Sequence, residues 1–338
     1  MFAGACVTVY EDVPLVEDQL DRPEFAIPVT IPLGRSPASA SERALVELYD
    51  GVLRQLQEAV DDREVAVLFG LLDAYEKPGL PDWLGERLAG YRALGHGLAF
   101  LEHATGHAAL GLAAGAGEPA PTIGEPLRFE LAVPAPGAPV QLGGRGGDDP
   151  TGFAVAFVVE DVFAGGDRNT WQRSDVIWLP SAVELTGDAV LRQPIELAIP
   201  DLGAARRTVH VRVDLFGYVR ASAKADFDTR APLRRRTIAA TSVTLWPAGY
   251  EPIAARPLAT LREALRRGDP EHFRHVFLGA VFTKGAEREQ ALALLIDQVR
   301  FGPEPLARVA MATLQELTGR STTVGDREAW LAWWGTGR

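Results

Sequence analysis

The apolar residues of this chain change period twice, and the two switches divide its 338 residues into helical, sheet and helical segments. Up to about Gly106 the spacing is helical. Leu45, Leu48, Val52, Leu53 and Leu56 recur at three- and four-residue steps behind the capping-box pair Ser39 and Glu42. Asp61 and Glu64 repeat that start signal before Val65, Leu68, Phe69 and Leu72. Lys77-Pro78-Gly79 then ends the second helix, and Pro81-Asp82 opens a third that reaches about Gly106. Three helices with short turns predict a small N-terminal bundle. After the loop Gly115 to Thr122 the period becomes two. Leu127, Phe129, Leu131 and Val133 alternate with Arg128, Glu130 and Ala132, and the stretches 153–159, 195–199 and 209–215 repeat the pattern. Alternate residues of a strand face one side. Roughly seven or eight such segments, joined by Gly/Pro/Asp loops without helices between them, predict an antiparallel β-sandwich. From Pro257 the helical period returns.

This last segment contains an internal repeat. A shift of 34 residues places Leu258 on Leu292, Leu261 on Leu295, Leu265 on Val299, Gly268 on Gly302 and Gly285 on Gly319. Each unit reads as helix, Gly/Pro turn, helix, and in this it resembles HEAT-like helical repeats. The resemblance implies an α-solenoid in which successive hairpins bury one another's apolar faces. A terminal helix, Asp326 to Trp334, carries Trp330, Trp333 and Trp334 as a hydrophobic end cap, with Trp330 and Trp334 expected to be buried. The run Ile123 to Leu142 resembles the first two strands of bacterial immunoglobulin-like domains, a likeness that implies such a sandwich and brings no catalytic residues with it. The expected fold class is therefore multidomain α+β. An extended, acidic, Pro-rich arm spans 1–37, a three-helix segment 38–114, an immunoglobulin-like sandwich 120–252, and α-solenoid-like repeats 257–338. Within the arm, Pro14, Pro23, Pro28, Pro32 and Pro37 exclude helix. Met1 to Glu24 is expected to be a tether. Phe25, Ile27, Val29, Ile31 and Leu33 alternate at strand period, so 25–33 is expected to dock as an extended segment.

Charge narrows the classes of partner. Residues 1–118 hold 8 Lys+Arg against 19 Asp+Glu, while the remaining chain holds 26 of each. An acidic module beside a neutral one argues against nucleic acid and anionic lipid. The single cysteine, Cys6, excludes an intramolecular disulfide and a cysteine-based zinc site. Ala3-Gly4-Ala5 before Cys6 resembles the end of a bacterial lipoprotein signal, in which small residues precede a cysteine that becomes lipid-modified. Ala3 departs from that pattern, which prefers Leu, and the apolar run such a signal needs would have to lie upstream of Met1. The resemblance implies lipidation at Cys6 and an envelope location, with that anchor as the membrane contact; without it the expected location is cytoplasmic.

The best candidates for chemistry are histidines. His96, His103 and His107 fall at i, i+7 and i+11 and so share one helix face within about 40°. That face could hold a metal ion, although the segment lacks the HExxH order that places a general base between two ligands. His272 and His275 begin a later helix behind Asp269-Pro270. Two Gly/Asp loops offer Asp148, Asp149, Asp167 and Asn169 as oxygen donors, without the alternate-residue spacing of a Ca²⁺ loop. There is no GxSxG nucleophile signature. The leading expectation is a non-enzymatic protein–protein interaction or scaffold protein with a protein partner and no cofactor. A second reading is a metal-dependent hydrolase working from His96, His103 and His107. A third is a sandwich that captures peptide or glycan near Trp171 and Trp178.

Overall fold

The computed structural model describes residues 40–113, 120–221, 230–320 and 325–336. The arm over 1–37, with its expected tether and docked segment, and Cys6 lie outside these residues. Three helices come first: α1 (Ala40–Asp61), α2 (Val65–Tyr75) and α3 (Asp82–His107). Nine strands follow: β1 (Ala109–Leu112), β2 (Leu127–Pro134), β3 (Val140–Leu142), β4 (Thr151–Val162), β5 (Arg168–Trp178), β6 (Val183–Leu185), β7 (Val190–Leu197), β8 (Arg206–Ala221) and β9 (Arg230–Leu245). The chain then returns to helix in α4 (Glu251–Ala255), α5 (Pro257–Arg267), α6 (Phe273–Val281), α7 (Ala286–Phe301), α8 (Glu304–Thr318) and α9 (Arg327–Gly335). None of the described helices is long and apolar enough to cross a membrane.

The N-terminal helices share a core of their own, and the third of them continues into the core of the sheets. Leu53, Leu56, Leu68, Leu72, Leu84, Leu88 and Tyr91 share one core, and the Tyr91 hydroxyl donates to Gln57 at 3.2 Å. Ala93, Phe100, Leu101 and Ala104 belong instead to the core of the sheets, where α3 packs along β9 and β8. At about 100° per residue, Leu84, Leu88 and Tyr91 lie nearly opposite Ala93, Phe100 and Ala104 around the helix. The 26-residue α3 is thus apolar on two faces and serves two cores. The expected multidomain class is corrected accordingly: the order is helices, then sheets, then helices, in one α+β arrangement.

All strand pairs are antiparallel. One sheet has the order β1-β2-β7. The other runs β5-β4-β8-β3-β6, with β9 paired to β8. Phe129, Leu131, Ile195 and Leu197 from the first sheet join Phe153, Phe157, Val211 and Val213 from the second in a single buried cluster. The immunoglobulin-like arrangement expected from Ile123 to Leu142 is not present. In that arrangement the first two strands share a sheet, whereas here β2 and β3 lie in different sheets. Period two fixes which residues face inward; it does not fix which strand lies alongside.

The expected α-solenoid is also corrected. Hairpins α5/α6 and α7/α8 close on one shared core containing Leu261, Val276, Leu295, Ala310 and Trp330. One end docks on the sheets, where Val162 and Ala205 meet Ile253, Phe277 and Leu278. At the other end α9 packs on α7. The two hairpins are not copies either. A Cβ on Gly279 would sit 2.9 Å from the Leu261 backbone nitrogen, so α5 and α6 cross closely there. The equivalent position 34 residues on is Thr313, and α7 and α8 have 16 and 15 residues where α5 and α6 have 11 and 9. The repeat of residue types therefore records two hairpins with similar burial positions, not a superhelix. In the cap, Trp330 is fully buried, while Trp333 and Trp334 are half-buried.

Candidate functional site

The structure does not gather the three histidines of α3 into one set. His96 lies against the Phe69 ring of α2, with centroids 5.1 Å apart. Burial, and then the Arg92 charge, push its pKa below the ordinary histidine value. Gly95 beside it permits that contact, because a Cβ there would meet Phe69 at 3.0 Å and Leu68 at 3.1 Å. His103 and His107 stack on each other at 4.4 Å, and His107 Nδ1 lies 3.0 Å from the His103 carbonyl oxygen. Nε2 of His103 is buried with no hydrogen-bond partner among the described residues. Among the described residues no three His, Cys, Asp or Glu side chains assemble as a possible metal site.

His272 and His275 line a hollow of about 390 Å³ between α5 and α6, together with Arg256, Glu263 and Arg267. His272 Nδ1 donates to Asp269 at 2.5 Å, which leaves Nε2 to accept from Arg267 at 2.8 Å. The hydrogen bond from His272 is the main cause that lowers the Asp269 carboxyl pKa. Arg267 also donates to Glu263 at 2.9 Å. These groups satisfy one another. His275 Nδ1 is buried without a partner among the described residues, and burial, then His272, keep its pKa low. The nearby Thr260 hydroxyl donates to the Arg256 carbonyl oxygen at 3.0 Å.

Asp149 of the first Gly/Asp loop, and the adjacent Arg206 and Arg207, have structural work. Asp149 is buried and accepts from Arg220 at 2.5 Å and 3.2 Å. Asp161 accepts two bonds from Arg207 at 2.6 Å and 2.9 Å. Glu316 of α8 accepts from Arg206 of β8 and, at 3.2 Å, from Arg168 of β5, tying the C-terminal helices to the large sheet. Asn169 does not belong to an oxygen-donor loop; it is the second residue of β5.

Strand β5 was not legible in the sequence, and it is the most unusual surface of the molecule. Its residues Arg168 to Trp178 pair with β4 without a register break, Gly152 opposite Trp178 and Val162 opposite Arg168. On its other side no described strand pairs with it. A free strand edge presents unpaired N–H and C=O groups, and folded proteins usually guard such edges. The remaining edges here are guarded. β1 has four residues and β6 three, β7 carries Pro194, and β9 carries Pro232 and meets β8 through two register shifts. β5 has 11 residues and neither proline nor bulge. Trp171 and Ile177 pack partly against the sheet core, and between them, on the same face, Arg173 and Asp175 pair at 2.9 Å. The signal available in the sequence was composition alone: Thr170, Trp171, Val176, Ile177 and Trp178 favour strand, but Arg173 and Asp175 fall on the apolar phase and break the alternation.

No family model matches the chain, and no curated protein matches it. Among solved structures, Spo0M, a sporulation control protein from Bacillus subtilis, is similar at 9% identity, over 47% of this chain and 54% of that one, with a TM-score of 0.23. The chain thus spans about half the length of that structure, and at so low a TM-score the likeness carries neither fold nor function.

Proposed function

We propose that this chain is a non-enzymatic protein–protein interaction or scaffold protein, and that it receives an extended segment of a protein partner along the outer edge of β5. The observation that supports this is the contrast between one open 11-residue edge and the guarded edges elsewhere. Strand addition draws affinity from main-chain hydrogen bonds and specificity from alternate side chains, and β5 offers both. Its core-side face presents Trp171, Arg173, Asp175 and Ile177. Photo-crosslinking in producing cells tests the reading. Replacement of exposed Gln172 on β5 by p-benzoylphenylalanine should give adducts to a defined protein, and the same replacement at exposed Glu47 on α1 should not. Equal adducts at both positions, or none at Gln172, would overturn it.

A further inference from the structure

We infer that the segment received by β5 is the β5 of a second copy of this chain, paired antiparallel about a two-fold axis through Ser174. This rests on the reading of β5 as a docking edge and adds the identity of the occupant. A two-fold axis normal to the sheet keeps the two faces of each copy aligned, so every residue meets one of the same parity, and one residue sits opposite itself. Centred on Arg173, the strand would oppose two guanidinium groups; centred on Asp175, two carboxylates. Like charges directly opposite are unfavourable. Centred on Ser174, Arg173 meets Asp175 twice, Trp171 meets Ile177, Gln172 meets Val176, and Thr170 meets Trp178.

This register also deals with the feature that otherwise opposes pairing at β5. A charged residue on the core-side face of an edge strand ordinarily discourages addition. Here the in-strand pair Arg173–Asp175 becomes a ring of four alternating charges, in which each group keeps its own partner and gains one from the copy. Trp171 and Ile177, only partly covered in one chain, gain cover from each other across the axis. Strand pairing alone buries less than about 1,200 Å², the size range of transient complexes. The association should therefore be concentration-dependent, with the charges setting register more than affinity.

Analytical ultracentrifugation of the full chain should show a mass rising from one chain to two across the micromolar range. Arg173→Asp and Asp175→Arg should each hold the protein at one chain, since each places like charges opposite, while the double swap should restore two; near-ultraviolet circular dichroism verifies that each variant is folded. Independently, in a Cys6→Ser background, mild oxidation of Ser174→Cys should yield a covalent dimer, because strand partners directly opposite lie within disulfide reach. Gln172→Cys, which faces Val176 in this register, should not. A single chain at every concentration overturns the inference, as does a dimer indifferent to the charge variants or equal cross-linking at 172 and 174. If a monomer still gives photo-adducts to another protein at Gln172, self-pairing fails and the docking reading stands; a monomer without adducts ends both. A monomer whose β5 amides lose protection when residues 1–39 are removed would instead assign the edge to the chain's own arm, and also overturns self-pairing.

Discussion

Arg207 is 1% exposed and Asp161 is fully buried, and the guanidinium spends its remaining donors on the carbonyl oxygens of Ile199 and Pro200. Every charge in this group is answered, so removing one partner strands the other in the core. Arg207→Met should destabilise the protein by about 3–5 kcal/mol, whereas Arg207→Met with Asp161→Leu should cost much less, as read by chemical denaturation. A double variant no better than the single would contradict this. His96 titrates in the opposite sense to a paired group. Burial holds its folded pKa below the usual value, so near pH 6 the unfolded chain binds more protons than the native one. Its contribution is complete above the unfolded value of about 6.5 and is lost as pH falls from there through the lower folded value. His96→Gln should flatten the fall in melting temperature between pH 7 and pH 5. His275, shifted in the same direction, should leave a residual slope that His275→Gln removes.

Among the elements, α9 carries the clearest test. Asp326 caps it by accepting from the Ala329 amide at 3.0 Å, and Trp330 fills the core of the two hairpins with its indole nitrogen unpartnered among the described residues. Trp330→Ala should cost about 3–5 kcal/mol. Trp330→Phe should be milder, because no hydrogen bond to that nitrogen is lost. Trp334→Ala should cost far less than Trp330→Ala, since its ring is half-buried; equal losses in a denaturation series would contradict the assignment. The elements also show where sequence reading succeeds and stops. The start signal at Pro81-Asp82 lies at the observed start of α3, because proline acts within one turn, whereas Asp61 is the last residue of α1 and α2 begins at Val65 without a side-chain cap. The alternation at Leu127 to Val133 marks β2 for the same local reason. Partnership is not local. Nothing in Phe100 or Ala104 tells that this half of α3 packs on a sheet, and a helix apolar on two faces loses the stripe that would point to its neighbour. The 34-residue shift picked out hairpins correctly as residue types and wrongly as a solenoid, since both hairpins close on one shared core. β5 was hidden because its charged pair occupies the apolar phase.

At the scale of the whole molecule, α3 couples what the sequence suggests are separate parts. Phe100 belongs to the sheet core, while Tyr91, fewer than three turns away, belongs to the helical one. Phe100→Ala should destabilise by about 3–5 kcal/mol, and helical and aromatic signals should shift together in one thermal transition. Two transitions, with only the aromatic one displaced, would contradict the coupling.

The guarded and open edges together have a consequence for growth. A sheet that can be extended at both ends is divalent, and each added molecule offers a fresh end, which is the route to fibres. With β7 interrupted by Pro194, β6 three residues long and β9 bearing Pro232 and two register shifts, β5 is the one long unbroken edge among the described strands. Whatever strand β5 accepts occupies the one reactive end, so extension of the sheet terminates at its first step.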